Sequence, residues 1–218
     1  GLPCGWLIHN RDGSPMTEPK HAVLAESKVR HVGDPLVLVI AETREQAIEA
    51  AETIEVIYNV LPSVVDMKIA INGEPAQVHN EAENNICYDW ELGDRAAVDE
   101  AFSRAAHITT IDLVNQRLVA NPIETRAAIG DYNPATGEYT LYTTSQNPHM
   151  IRLLMSAFVL SEPEHKVRVI APDVGGGFGT KIYHYAEEAL MITASRKLGR
   201  PVKWTADRSE SFVSDGQG

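Results

Sequence analysis

At residues 172–183 the chain reads PDVGGGFGTKIY, and glycine takes four of the five positions from 175 to 179. Such a run is poorly suited to the interior of a helix or strand, where each glycine costs about 0.5–1 kcal/mol relative to alanine. The β-branched run KVRVIAPDV precedes it. The pattern YAEEALMITASRKLG follows, with apolar residues at 186, 189 and 190 and with Gly199 and Pro201 as helix stop signals. The order is therefore strand, glycine loop, helix.

Three uses of such a loop are open. It can be a tight strand-to-helix crossing in which Phe178 fills the core. It can be a wall of bare backbone at Gly175, Gly176, Gly177 and Gly179 that something approaches closely. It can also bind phosphate, because the first N–H groups of a helix lack internal partners and its dipole favours an anion. The familiar phosphate patterns fail, however. G-x-G-x-x-G meets Thr180 where its last glycine belongs, and G-x-x-x-x-G-K-[ST] meets Thr180 before Lys181 and Ile182 after it.

Elsewhere the periodicity predicts an α+β chain. PLVLVIA at 35–41 reads as a strand, Thr43 caps a helix with apolar residues at 47, 48, 51 and 54, and Ile54, Val56 and Tyr58 alternate as a strand. Residues 61–85 lose periodicity and read as a connection, with a second unit starting near Ile86. Asp94 caps the amphipathic helix RAAVDEAFSRA, and HITTIDLVNQRLVA alternates as a long strand. Two strands flank the turn NPATG. Gln146 then sits at a strand end, just before a helix HMIRLLMSAFVL with Asn147 as cap and Pro148 as first residue. PVKWTADR is a last strand.

Charge and composition exclude some functions. With 19 Lys and Arg against 30 Asp and Glu, and a net charge of −11, the chain lacks the clustered positive charge that nucleic acid or an anionic membrane needs. No stretch approaches the roughly 20 apolar residues of a membrane span, and no signal peptide is visible, so a soluble, cytoplasmic protein is expected. Cys4 and Cys87 are too few for a disulfide framework or thiolate cluster and read as structural thiols. The chain reads as a piece of something longer.

DVGGGFGTK after a strand, with TTSQNPHMIR some thirty residues earlier, resembles the molybdenum-binding large subunit of the xanthine dehydrogenase and aldehyde oxidase (molybdenum hydroxylase) family. NQRLVANPIETRAAIG and GTKIYHYAEEAL look most like the carbon monoxide dehydrogenase large chains. The resemblance implies part of an α/β-hammerhead domain at residues 1–62, a connecting segment at 63–82, and the first part of a molybdopterin-binding domain at 83–218. It implies a molybdopterin, often the cytosine dinucleotide, carrying molybdenum. FAD and [2Fe-2S] clusters would sit on partners, a medium and a small subunit, since this chain lacks the thiolates.

By the family pattern Gln146 hydrogen-bonds an oxo ligand of the metal, Gly176, Gly177, Phe178 and Gly179 line the cofactor, and Phe178 bounds the substrate cavity. The alternative for Gln146 is a polar strand-end residue satisfying the helix terminus. Purine-oxidising members have a Glu after the lysine; Ile182 stands there and neither donates nor accepts, so small or apolar substrates fit better than xanthine. The family's catalytic Glu and the Ser- or Cys-containing loop of the carbon monoxide enzymes are expected beyond residue 218, leaving the piece inactive alone. Glu124 is either a pocket carboxylate or a partner of Arg126 or Arg152. His149, His165 and His184 read as surface or capping residues, Tyr183 and Tyr185 as a packed pair, and Glu187 and Glu188 as dipole partners. The competing readings are a nucleotide-binding α/β module and a non-catalytic scaffold piece.

Overall fold

The computed structural model describes residues 7–72, 76–115 and 118–216, so Cys4 lies outside the described residues. Two compact units are present, and each is described by itself. The first comprises the described residues of Lys20–Leu61 and Leu118–Gly218; the second comprises those of Cys4–Pro19 and Pro62–Arg117.

The first unit is built on a four-stranded sheet. Its strands are β1 (Ala127–Asn133), β2 (Glu138–Thr143), β3 (Val167–Ile170) and β4 (Val202–Thr205), in the order β3-β2-β1-β4. β1 pairs antiparallel with β2 and β4, and β2 pairs parallel with β3. The hairpin turn is the one expected. Gly137 takes φ +69° and donates to Asn133 O at 2.8 Å, while Asn133 Oδ1 accepts from Ala135 N at 2.9 Å.

The helix Ala186–Leu198, hereafter the core helix, lies on this sheet and buries Ala189, Met191, Ile192 and Ala194. Together with Tyr139, Leu141, Val167 and Val202 from the strands and Ile151 and Met155 from the parallel crossover, they form the core. The approach is close enough that Gly130 admits no side chain: a β-carbon there would lie 2.4 Å from Met191 C. Ser195 Oγ accepts from Tyr132 N at 2.9 Å, tying the helix to β1. As expected, Gly199 ends the helix in the left-handed region.

Local signals located the other helices. Thr43 and Gln46 form a capping box on Arg44–Glu52, and Asp94 accepts from Ala97 N at the start of Arg95–Arg104. Both helices nevertheless bury no residue. Residues 66–72, within the expected connection at 61–85, form an element that was not expected, because Asp66 Oδ1 accepts from Lys68 N and Ile69 N and starts the short helix Met67–Asn72. The crossover helix Pro148–Leu154 starts at the expected place but continues as a π-helix over Met155–Leu160. Its cap differs from expectation too: the Asn147 side chain makes no capping bond.

Three expected strands, at 35–41, 54–58 and 107–120, take no strand pairing among the described residues. Alternation marks a side-chain face for burial, but a strand also needs a neighbouring ladder. Here Val37, Ile57 and Leu113 remain exposed instead. No helix among the described residues is long and apolar enough to cross a membrane. In the second unit, Thr17 N donates to Cys87 O at 2.8 Å and Arg11 pairs with Asp89 and Glu91.

Candidate functional site

The glycine loop does not run straight from β3 into the core helix. Turns and bends occupy the residues after Gly179, and the helix begins only at Ala186 with Tyr185 as its cap. Its first turn holds Glu187 and Glu188, both buried. An anion at this helix end would face two carboxylates, which argues against the phosphate use of the loop.

The glycines pack instead against two side chains from distant parts of the chain. A β-carbon on Gly177 would lie 2.2 Å from Gln146 Oε1, and one on Gly175 would lie 2.6 Å from Glu124 Cβ. Gly179 adopts φ +94° and donates its N–H to Gln146 Oε1 at 3.1 Å. A backbone N–H can only donate, so the oxygen end of the Gln146 amide must face the loop. Its Nε2 has no hydrogen-bond partner among the described residues, which leaves an exposed amide with two N–H donors beside bare backbone.

Phe178 is not a core residue. It is 74% exposed and held at φ +50°, a left-handed conformation that costs a bulky L-residue roughly 1–2 kcal/mol. This rules out the reading in which Phe178 fills the core of a tight crossing. Gly176, at φ +94°, lies beneath it: a β-carbon there would approach Phe178 Cε2 to 3.0 Å.

Gln146 does not cap the crossover helix. Its own N–H donates to Lys181 O at 2.9 Å, while Ser145 Oγ accepts from Asn147 N at 2.9 Å. Glu124 pairs with neither Arg126 nor Arg152. Its Oε2 accepts from Gly175 N at 2.8 Å and from Lys181 Nζ at 2.7 Å. Burial pushes the Glu124 carboxyl up, but the Lys181 and Gly175 donors outweigh it and hold the group below its ordinary value. Arg152 pairs with Glu164 instead.

Beneath the loop lies a buried ionic cluster with no clear signal in sequence. Arg126 donates to Glu187 Oε2 at 2.8 Å and to Asp215 Oδ1 at 2.6 Å, and its guanidinium carbon stacks 3.8 Å from the centre of the Tyr185 ring. Burial opposes the Arg126 charge, yet Glu187 and then Asp215 raise its pKa above the usual value. Tyr185 donates to Thr180 O, and burial is the main cause that pushes its phenol up to about 12. Tyr183 and Tyr185 do pack, edge to face at 6.4 Å. The His184 side chain is buried rather than on the surface, with Nδ1 2.9 Å from Glu188 Oε2; His149 and His165 are exposed. A cavity beside this cluster, lined by Arg126, Thr143, Lys181 and Tyr185, is about 10 Å³, room for about one water, and none of residues 175–179 lines it.

Among the described residues no group of three or more His, Cys, Asp or Glu could hold a metal ion. What the loop's outer face presents is a side-chain amide, backbone and one aromatic ring. Residues 78–218 match the model of the molybdopterin cofactor-binding domain, and residues 7–62 match that of the aldehyde oxidase and xanthine dehydrogenase a/b hammerhead domain. This chain belongs to the molybdenum hydroxylase large-subunit family. The order of the two matches, hammerhead and then cofactor-binding, is that expected from the motifs.

Relatives of this chain include the carbon monoxide dehydrogenase large chain of Hydrogenophaga pseudoflava, 36% identical over 88% of this chain and 25% of the relative. The nicotine 6-hydroxylase large subunit of Paenarthrobacter nicotinovorans is 38% identical over 91% of this chain and 24% of its own length. Among solved structures, CO dehydrogenase from Oligotropha carboxidovorans superposes with a TM-score of 0.82 at 34% identity, covering 90% of this chain and 26% of that one. This chain thus spans about a quarter of the length of the relatives it matches.

Proposed function

We propose that this chain is the part of a molybdopterin-dependent oxidoreductase large subunit that presents Gln146 and the backbone of residues 176–179 to the cofactor. The reading divides it into a hammerhead part at 1–62, a connection at 63–82 and a cofactor-binding part at 83–218. The observation that carries it is the Gln146 amide, whose oxygen is held by Gly179 N–H while its Nε2 stays free to donate. That geometry suits a metal that arrives with its own organic ligands and needs hydrogen bonds from the protein rather than thiolates or imidazoles.

When bound, the molybdenum group supplies the two-electron oxidation and transfers water-derived oxygen. The chain's own residues position and exclude. Gly179 fixes the rotamer of Gln146, so that its donors are in place before any ligand arrives. Gly177 keeps the loop backbone against the Gln146 side chain, since any β-carbon would displace it. Phe178, held out of the core, supplies an apolar wall on the outer face.

Ile182 is 47% exposed and has no polar atom in its side chain. A purine bound against it would leave ring nitrogens unpaired, so the parent enzyme oxidises carbon monoxide, an aldehyde or an N-heterocycle other than a purine. Relatives named for carbon monoxide and nicotine agree with that class. The pterin is the cytosine dinucleotide, and electrons leave through [2Fe-2S] clusters and FAD on small and medium subunits of a cytoplasmic complex. The 218-residue chain alone is inactive.

The test is elemental analysis and dye-linked turnover, on this chain alone and on the full-length enzyme assembled with its partners. Molybdenum and turnover are expected only in the assembled enzyme. Stoichiometric molybdenum with turnover in the chain alone, or none in the assembly, would refute the reading.

A further inference from the structure

Lys181 is the most enclosed ammonium of the loop region, with its side chain 1% exposed. A lysine is almost never buried to that extent without an anionic partner. Its partner is Glu124, at 2.7 Å, whose side chain is 35% exposed and which lies 57 residues away in sequence. The same Glu124 oxygen also accepts from Gly175 N at 2.8 Å. One carboxylate oxygen therefore holds the first residue of the glycine loop and the lysine that closes it.

Lys181 has a second attachment. Its carbonyl accepts from Gln146 N at 2.9 Å and from Ser145 Oγ at 3.3 Å. The ammonium end of Lys181 is thus bound to Glu124, and its backbone end to the residue pair that carries the free amide. Moving Lys181 would move the backbone of Gln146, and losing the Glu124 carboxylate would leave Gly175 only the longer bond its carbonyl accepts from Glu124 N at 3.4 Å.

We infer that Glu124 and Lys181 form a charged latch that positions the glycine loop and the Gln146 amide for the cofactor, so that Glu124 is a positioning residue and not a pocket carboxylate. This rests on the reading that the loop faces molybdopterin. The latch has a built-in asymmetry. Removing the Glu124 charge strands an ammonium that water cannot reach, whereas removing the Lys181 charge leaves a carboxylate that water partly reaches.

The test uses the full-length enzyme with its partner subunits, and reads molybdenum content per protein and the Mo(V) electron paramagnetic resonance signal alongside thermal stability. Glu124→Gln keeps an acceptor for Gly175 N but loses the charge, and its molybdenum content should fall about tenfold. Lys181→Met should lose less. The double variant Glu124→Gln/Lys181→Met, which removes both charges together, should regain molybdenum relative to Glu124→Gln. Unchanged molybdenum and an unchanged signal in Glu124→Gln would overturn the latch while leaving the cofactor reading intact. A double variant as depleted as Glu124→Gln would overturn the charge pairing. A wild-type enzyme that holds no molybdenum would overturn the cofactor reading and the latch with it.

Discussion

Replacing Gly177 with alanine separates the geometry of the candidate site from the stability of the fold. The added methyl group would lie 2.2 Å from Gln146 Oε1, 2.4 Å from Cδ and 2.7 Å from Cγ. Ordinary contact between such atoms needs about 3.5 Å, so the amide has to retreat by about 1 Å or rotate away. Gln146 is exposed and free to do so, and the cost is chiefly its bond from Gly179 N–H. A hydrogen bond of this kind contributes about 1 kcal/mol, visible as only about 2–4 °C in the melting midpoint of a chain this size. Function should respond far more. A displaced donor at a charge-developing centre costs at least about tenfold, and its outright removal about 10²–10³-fold. Calorimetry on the chain and turnover at saturating substrate in the full-length enzyme provide the two readouts. Full turnover in the variant would refute the role of Gln146, and a loss above about 3 kcal/mol would show that the contact belongs to the core instead.

Gly130→Ala makes the contrasting case, because its methyl meets helix backbone, Met191 C and O at 2.4 Å and Ile192 N at 2.5 Å, which cannot rotate aside. It should cost about 3 kcal/mol or more in urea denaturation, and a midpoint near wild type would contradict the close packing of the core helix on β1. Arg126→Met leaves Glu187 and Asp215 buried without their cation and should destabilise by about 3–5 kcal/mol; a loss under about 1 kcal/mol would mean that the cluster is solvated. Tyr185, pushed up to about 12, keeps its proton where an unfolded tyrosine, near 10, has lost it. Its contribution to stability is therefore present below about pH 10 and is lost as the pH rises towards 12; Tyr185→Phe should remove one late step from the tyrosinate absorbance titration. Glu124 is shifted the other way, so its contribution is present above about pH 4.3 and fades as acid protonates it, a dependence that Glu124→Gln should abolish.

Most of the local structure was legible in the residues themselves. Thr43, Asp94 and Gly199 act within a few residues of where they stand, so the helix starts and the left-handed stop they predict are present. The NPATG hairpin is equally local. The glycine and glutamine motifs at their spacing carried the resemblance to the family, and the two family matches bear it out.

Tertiary structure decided what depends on contacts between distant residues. Alternation alone could not say that the described residues of 35–41, 54–58 and 107–120 would take no strand pairing, since a ladder belongs to two segments at once. Nor could it say that Arg126 turns inward to Glu187 and Asp215, leaving Glu124 to Lys181, because every acidic residue in reach is an equal candidate until packing brings one close. Phe178 was open between core and surface, and only its backbone torsion and exposure placed it outside. The chain's residues thus determined the helices started by Thr43, Asp94 and Pro148, the core helix, the hairpin and the glycine wall, while the fold chose which side chains would face that wall and which charges would hold it.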